Sequence, residues 1–276
     1  MGKQTRMKQV RWIIQDKNYA EADKYQITLA CEANDLPCVQ IAVIPFSDQL
    51  PDFPIDDTHE NIYYGSTTLM NRIYQDLNRP LGLFYDHETF SMKNYIENWG
   101  SHMLSSEAVV LPFKDFVKAS HPKEQQFFLR PDADSKAFNG TVMAFCDVKD
   151  WYQRLLDNNV LEIGPETKIL AGPAYNIERE WRNYVVNGKV VTSSLYMKNF
   201  RLHTSATDIP QEMLDYVEAR CREYQPHDVF AIDIAKCSGD HEYYIIECGC
   251  MNSIGFYACD IHKYVKALSA YVKGKT

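Results

Sequence analysis

Phe230-Ala231-Ile232-Asp233-Ile234-Ala235 and Tyr244-Ile245-Ile246-Glu247-Cys248-Gly249-Cys250-Met251-Asn252 are the two stretches that decide the fold. Each begins as an apolar, β-branched run and carries one carboxylate. Ser238-Gly239-Asp240 between them marks a reversal, so they read as neighbouring antiparallel strands. A carboxylate within such a strand is expensive to bury alone, so Asp233 and Glu247 each need a cation or strong donors. Two oxygen ligands on adjacent strands suit Mg²⁺ bridging the phosphates of a nucleotide. A pair of buried ion pairs with arginines is the other solution.

Working outward, Ile177-Glu178-Arg179-Glu180-Trp181-Arg182 leads into Tyr184-Val185-Val186, Asn187-Gly188 and Lys189-Val190-Val191. Asn-Gly between alternating runs is a strong hairpin cue. In an extended chain Glu178, Glu180 and Arg182 share one face, and Arg179 and Trp181 the other. Further upstream, the strand Phe127-Phe128-Leu129-Arg130 runs into the polar loop from Asp132 to Lys136 and then Asn139-Gly140. Two cations and loop amides in this order suit a polyphosphate, although the spacing is no Walker motif. Lys168-Ile169-Leu170-Ala171 is a strand that breaks at Gly172-Pro173. Helices are expected over Pro210 to Tyr224 and Asp260 to Tyr271.

The first half has a strand–helix–strand opening from Val10 to Phe46, with no glycine fingerprint for a dinucleotide. Short strands at Ile62-Tyr63-Tyr64 and Leu81 to Tyr85 and helices from Gly65-Ser66 to Leu77 and Ser91 to Trp99 complete an α/β lobe. Gly65-Ser66-Thr67-Thr68 reads first as a helix cap, and second as a seat for a carboxylate or phosphate. The best cut between lobes falls at Ser120-His121-Pro122-Lys123.

Of 276 residues, 45% are hydrophobic and 24% charged, as in an ordinary folded chain. A formal net charge of −8 argues against a phosphate backbone as main partner, because that affinity comes from a basic face. No apolar run approaches the ~20 residues that cross a bilayer, so no membrane partner is expected. With no apolar segment after its basic start, the chain is expected to be cytoplasmic. Eight scattered cysteines then read as buried free thiols; the Cys248-x-Cys250 pair lacks the usual zinc spacing. Nothing in the sequence speaks to oligomeric state.

Taken together, these segments resemble the ATP-grasp superfamily, most closely its clade named for two arginines and a lysine. The likeness spans most of the chain and is strongest from Phe127 to Tyr271. It implies an α/β fold with an N-terminal pre-ATP-grasp-like lobe (1–122, the acceptor side) and C-terminal antiparallel-sheet nucleotide-binding lobes (123–276). It implies ATP and Mg²⁺ as cofactors. Arg130, Lys136 and Arg182 would be the catalytic cations. Adenine would meet the hinge strand from Lys168 through Ala171 to Pro173. Glu180 belongs to the Glu-x-Arg strand that ends at Arg182, and Asp233 and Glu247 are the metal carboxylates. One departure stands out: the family's Glu-x-Asn is here Glu247-Cys248-Gly249, so Asn252 is expected to reach back into the metal shell.

The activity this implies is ligation of a small-molecule or peptide carboxylate to an amine through an acylphosphate. Phosphoryl transfer asks for positioning and charge neutralisation more than for a protein nucleophile, which these residue types supply. A nucleic-acid end-modifying ligase would need a Lys-x-Asp-Gly signal, which is missing. A nucleotide-binding protein without turnover is the other alternative.

Overall fold

The computed structural model describes residues 8–16, 21–44, 49–86, 88–133, 138–158 and 163–276. Three sheets organise them. The first is parallel, with β1 (Gln9–Asp16) between β2 (Cys38–Ala42) and β3 (His59–Tyr64). Its strands are apolar on both faces because both are covered. Trp12 and Ile14 pack with α1 (Glu21–Glu32) and the C-terminal helix, while Ile13 packs with α2 (Thr67–Asp76).

The second sheet is antiparallel, in the order β4 (Val109–Pro112), β7 (Lys168–Gly172), β5 (Gln126–Pro131), β6 (Thr141–Ala144). Alternation sends Phe127, Leu129, Ile169 and Ala171 into a core with α4 (Phe113–Lys118) and α5 (Phe145–Asp157). The other face, with Phe128, Leu170 and Gly172, borders a cavity.

The third sheet is also antiparallel: β10 (Arg201–Ser205), β9 (Lys189–Lys198), β8 (Ile177–Val186), β11 (Val229–Cys237), β12 (Tyr243–Gly249). Trp181, Val185, Phe230, Ile232 and Ile245 meet α3 (Met92–Trp99) and α6 (Gln211–Glu223) on one face. On the other face, Tyr184 and Ala231 join the core of α7 (Ile261–Lys275), and Glu180, Arg182, Asp233 and Glu247 are left for the cleft. The expected separation of Arg182 from Trp181 is observed, with the Trp181 indole donating to the Asp208 carbonyl at 2.7 Å.

Two expectations about organisation change. The cut at 122/123 passes through a packed unit, because β4 pairs with β7 and α4 packs beneath the second sheet. In the other direction, α7 packs between the first lobe, where the Trp12 indole donates to Ser269 Oγ at 3.0 Å, and the third sheet. The strand expected over Leu81 to Tyr85 does not form. Only Gly82 bridges to Ile62, and its backbone lies so near Asn61 that a Cβ would stand 1.9 Å from the Asn61 carbonyl oxygen. No helix of the described residues is long and apolar enough to cross a membrane.

Candidate nucleotide and metal site

Strand register builds the site. Asp233 lies opposite Arg182 on β8 and opposite Glu247 on β12, so the three side chains form a row across one face. The Asp233 carboxylate is 3% exposed and is met bidentately by Arg182, with Nε–Oδ1 at 2.9 Å and Nη2–Oδ2 at 2.7 Å. The third guanidinium nitrogen donates to the Gly255 carbonyl at 3.2 Å. The guanidinium carbon lies 5.4 Å from the Tyr196 ring centroid and 5.1 Å from that of Tyr257, and those rings stack 4.8 Å apart. Tyr196 Oη donates to Glu180 Oε2 at 2.6 Å and lies 3.4 Å from Asp233 Oδ2.

Burial sets the electrostatics. It pushes the Asp233 carboxyl above its ordinary value, and Arg182 pulls it back. Burial likewise raises the Glu180 carboxyl; the Tyr196 hydrogen bond opposes this, and the negative neighbours Asp233 and Glu247 add to it. Arg182 loses solvation through burial, but Asp233 more than offsets that and holds it firmly charged.

From the second sheet, Arg130 at the end of β5 reaches across and pairs with Glu247 Oε2. The four charged residues line a cavity of about 360 Å³ with Asn139, Gly140, Ser253, Gly255 and Tyr257. Gly140 also borders a second cavity of about 280 Å³ between the two antiparallel sheets. That one is an apolar slot, with Phe128, Leu170 and Gly172 on one wall and Ile177 and Ile246 on the other. Glu180 and Phe200 are also part of its lining.

Arg130, Arg182, Asp233 and Glu247 are therefore brought together, with Glu180 lining the second cavity. Lys136 lies outside the described residues. Lys168 is exposed at the start of β7, and its carbonyl accepts from the Asp132 amide at 3.1 Å. Ala171 needs correction. Its strand pairs on both sides, with Val109 and Leu129, and its side chain enters the core below; Leu170 and Gly172 face the slot instead.

Asn252 is the larger correction. It is fully buried, with Oδ1 accepting from the Phe84 amide at 2.6 Å and Nδ2 donating to the Tyr63 and Gly82 carbonyls at 2.6 and 2.9 Å. The amide is committed to the first lobe, where it satisfies the backbone that the missing Leu81–Tyr85 strand leaves open. Ser66 caps α2 by accepting from the Leu69 amide at 3.3 Å, and its own amide donates to Gln15 Oε1 at 2.8 Å. The cysteines are free thiols, and no cluster of three or more metal-ligating side chains occurs among the described residues.

Sequence reasoning missed Tyr196, Tyr257 and Phe200. Tyr257 left a signal in Gly255-Phe256-Tyr257-Ala258 after Asn252-Ser253, which resembles the family's ending, and Phe200 left one in an Asn-aromatic pair at a strand reversal.

One family profile matches residues 111–267: the ATP-grasp domain, family 2 of the clade named for two arginines and a lysine. That is more than half of the chain, and the chain belongs to this family. Its fold is shared with several solved structures. D-cycloserine synthetase DcsG superimposes with a TM-score of 0.60 at 12% identity, covering 95% of this chain and 99% of that one. The ATP-grasp ligase PsnB with a minimal precursor gives 0.56 at 11% identity, covering 96% and 99%. D-alanine–D-alanine ligase from Bacillus anthracis gives 0.55 at 11% identity, covering 97% and 98%. A search of curated protein sequences found no match.

Proposed function

We propose that the protein is an ATP- and Mg²⁺-dependent ligase that joins a carboxylate to an amine through an acylphosphate, releasing ADP and phosphate. One observation carries the reading: Arg130 from one sheet and Arg182, Asp233 and Glu247 from another converge on a single cavity that adjoins an apolar slot. Three similar folds, at 11–12% identity, belong to proteins described as a D-cycloserine synthetase, an ATP-grasp ligase with a precursor and a D-alanine–D-alanine ligase, which supports the same class.

The donor set fits magnesium. Asp233 and Glu247 are hard oxygen donors on facing strand positions, and Mg²⁺ is commonly held by one or two carboxylates together with substrate phosphates. Arg182 uses two of the roughly four lone-pair directions of Asp233, and the single Tyr196 hydroxyl proton goes to Glu180, which leaves lone pairs for a cation. When bound there, magnesium would supply charge neutralisation along the phosphates.

In this scheme the apolar slot takes the base, and Gly140 lies where base and phosphate regions meet. Arg130 gives up Glu247 to hold phosphate oxygens, with Lys136 in the same role. Arg182 stays fixed by Asp233 and the two tyrosines, and presents its remaining charge to the transferring group or the acceptor carboxylate. A carboxylate oxygen of the substrate bonds to the γ-phosphorus as the bond to the ADP oxygen breaks. The amine nitrogen then bonds to the acyl carbon as the acyl C–O bond to phosphate breaks, and the amine's lost proton balances the departing phosphate.

Screening small carboxylates and peptides against amines, with ADP and phosphate as the readout, tests the reading. AMP and pyrophosphate as products would replace the acylphosphate with an adenylate. Mg·ATP binding without turnover on any pair would favour the silent nucleotide-binding alternative, which the diversion of Asn252 away from Glu247 specifically supports.

A further inference from the structure

Three acids of the third sheet face the cleft, and they are held in different ways. Asp233 is gripped bidentately by Arg182, and Glu247 pairs with Arg130. Glu180 has no cation. Among the described residues its carboxylate makes no ion pair, and its one hydrogen bond comes from Tyr196 Oη to Oε2 at 2.6 Å. A carboxylate withdrawn from water is normally matched by a cation or by several donors. Here a single neutral hydroxyl does the holding.

An irregularity in β9 delivers that hydroxyl. Glu180 pairs with Met197 and Trp181 with Leu195, so β9 holds one residue more than β8 at this point, and the extra residue is Tyr196. The pairing of β9 with β10 shifts over the same residue. A bulge re-aims a side chain and is frequent beside functional sites. Leu195 keeps its place in the core with Trp181, while Tyr196 turns to the cleft, 7% exposed, its ring lying at 9° to that of Tyr257. Stacking thus fixes the ring, and the hydroxyl ends 2.6 Å from Glu180 and 3.4 Å from Asp233. It has one proton to donate, and the shorter contact takes it. A neutral donor orients a carboxylate without cancelling its charge. Glu180 therefore keeps acceptor capacity where it lines the apolar slot, and Asp233 keeps its own for a cation.

We infer that Tyr196 is a positioning residue: its hydroxyl holds Glu180 in one orientation at the slot, so that the free carboxylate oxygen can accept from the nucleoside part of the ligand. This rests on the nucleotide reading above and deepens it, because it separates two jobs within one row of acids. Glu180, set by Tyr196, serves the nucleoside, and Asp233, set by Arg182, serves the metal and phosphates.

The test is a double-mutant cycle on the full chain, with titration calorimetry of Mg·ATP and of Mg·tripolyphosphate, which has no nucleoside, and with ligand-free melting to verify folding. Tyr196→Phe removes the hydroxyl and keeps the ring that stacks on Tyr257. It is expected to bind Mg·ATP about tenfold more weakly, near the low end for a hydrogen bond to a charged group, and to bind tripolyphosphate as the wild type does. Glu180→Ala should also weaken Mg·ATP, and adding Tyr196→Phe to it should cost nothing further, because the hydroxyl then has no carboxylate to orient. A merely structural role would not produce that lack of additivity. Losses that add in the double variant would overturn the inference, as would unchanged Mg·ATP affinity in Tyr196→Phe. An equal loss of tripolyphosphate would overturn it too, by moving the hydroxyl's role to Asp233. Wild-type protein that binds no Mg·ATP would overturn the nucleotide reading itself, and that shows before any variant is compared.

Discussion

Arg182 and Asp233 sit opposite each other on neighbouring strands of one sheet, whereas Arg130 and Glu247 reach toward each other from different sheets. The first pair is sealed: Asp233 is 3% exposed, the contact is bidentate, and two tyrosine rings flank the guanidinium. The second is more open at its carboxylate, with Glu247 at 29%, and it crosses the cleft proposed for the nucleotide. The same chemistry therefore serves two ends. A buried pair is costly to break from one side, so it works as fixed scaffold. A pair whose carboxylate water can reach costs less to open, so it can exchange its partner for phosphate or metal.

The largest expected effect breaks the scaffold. Asp233→Ala strands the Arg182 charge in a buried position and should cost about 3–5 kcal/mol in urea unfolding. Arg130→Ala, the matching cut in the more open pair, leaves a carboxylate that water can reach and should cost less, about 1–2 kcal/mol. Similar costs for the two would erase the distinction.

Asn252→Ala is next. It removes the side-chain partner of the buried Phe84 amide and of the Tyr63 and Gly82 carbonyls, and should cost about 2–3 kcal/mol, with Mg·ATP affinity unchanged. A stable variant with weakened Mg·ATP binding would return Asn252 to the metal shell.

The smallest effect concerns Glu180, whose carboxyl burial raises above its ordinary 4.5. A raised carboxyl contributes stability that is fully present below the unfolded value and is lost as pH rises through the folded one. Wild-type stability should therefore fall relative to Glu180→Gln as pH climbs from about 4 to about 7. A difference that stays flat with pH would mean that Tyr196 and Arg182 cancel the burial.

Much of the site was legible because β geometry is periodic. Alternation separates Arg182 from Trp181, and two apolar runs across Ser238-Gly239-Asp240 bring Asp233 and Glu247 together. Arg130 was legible as a cation at a strand end. Asn252 was not, because its partners at Tyr63, Gly82 and Phe84 lie far away in the chain and depend on a strand that fails to form. The lobe boundary was hidden for a similar reason. β4 is a four-residue edge strand ending in Pro112, and α7 returns to the first sheet over the whole length of the chain. Tyr196 was masked by register shifts between Glu180 and Trp181 and between Tyr184 and Val185, which move β9 relative to β8 beyond what counting residues can follow.

The most direct test is calorimetric titration of Mg·ATP into wild type and Glu247→Gln, with melting temperatures measured alongside. The cleft geometry predicts an unchanged fold and a loss of at least about tenfold in Mg·ATP affinity, or about 1.4 kcal/mol. Equal affinity in the two proteins would contradict Glu247 as a metal carboxylate, and with it the assignment of this cleft.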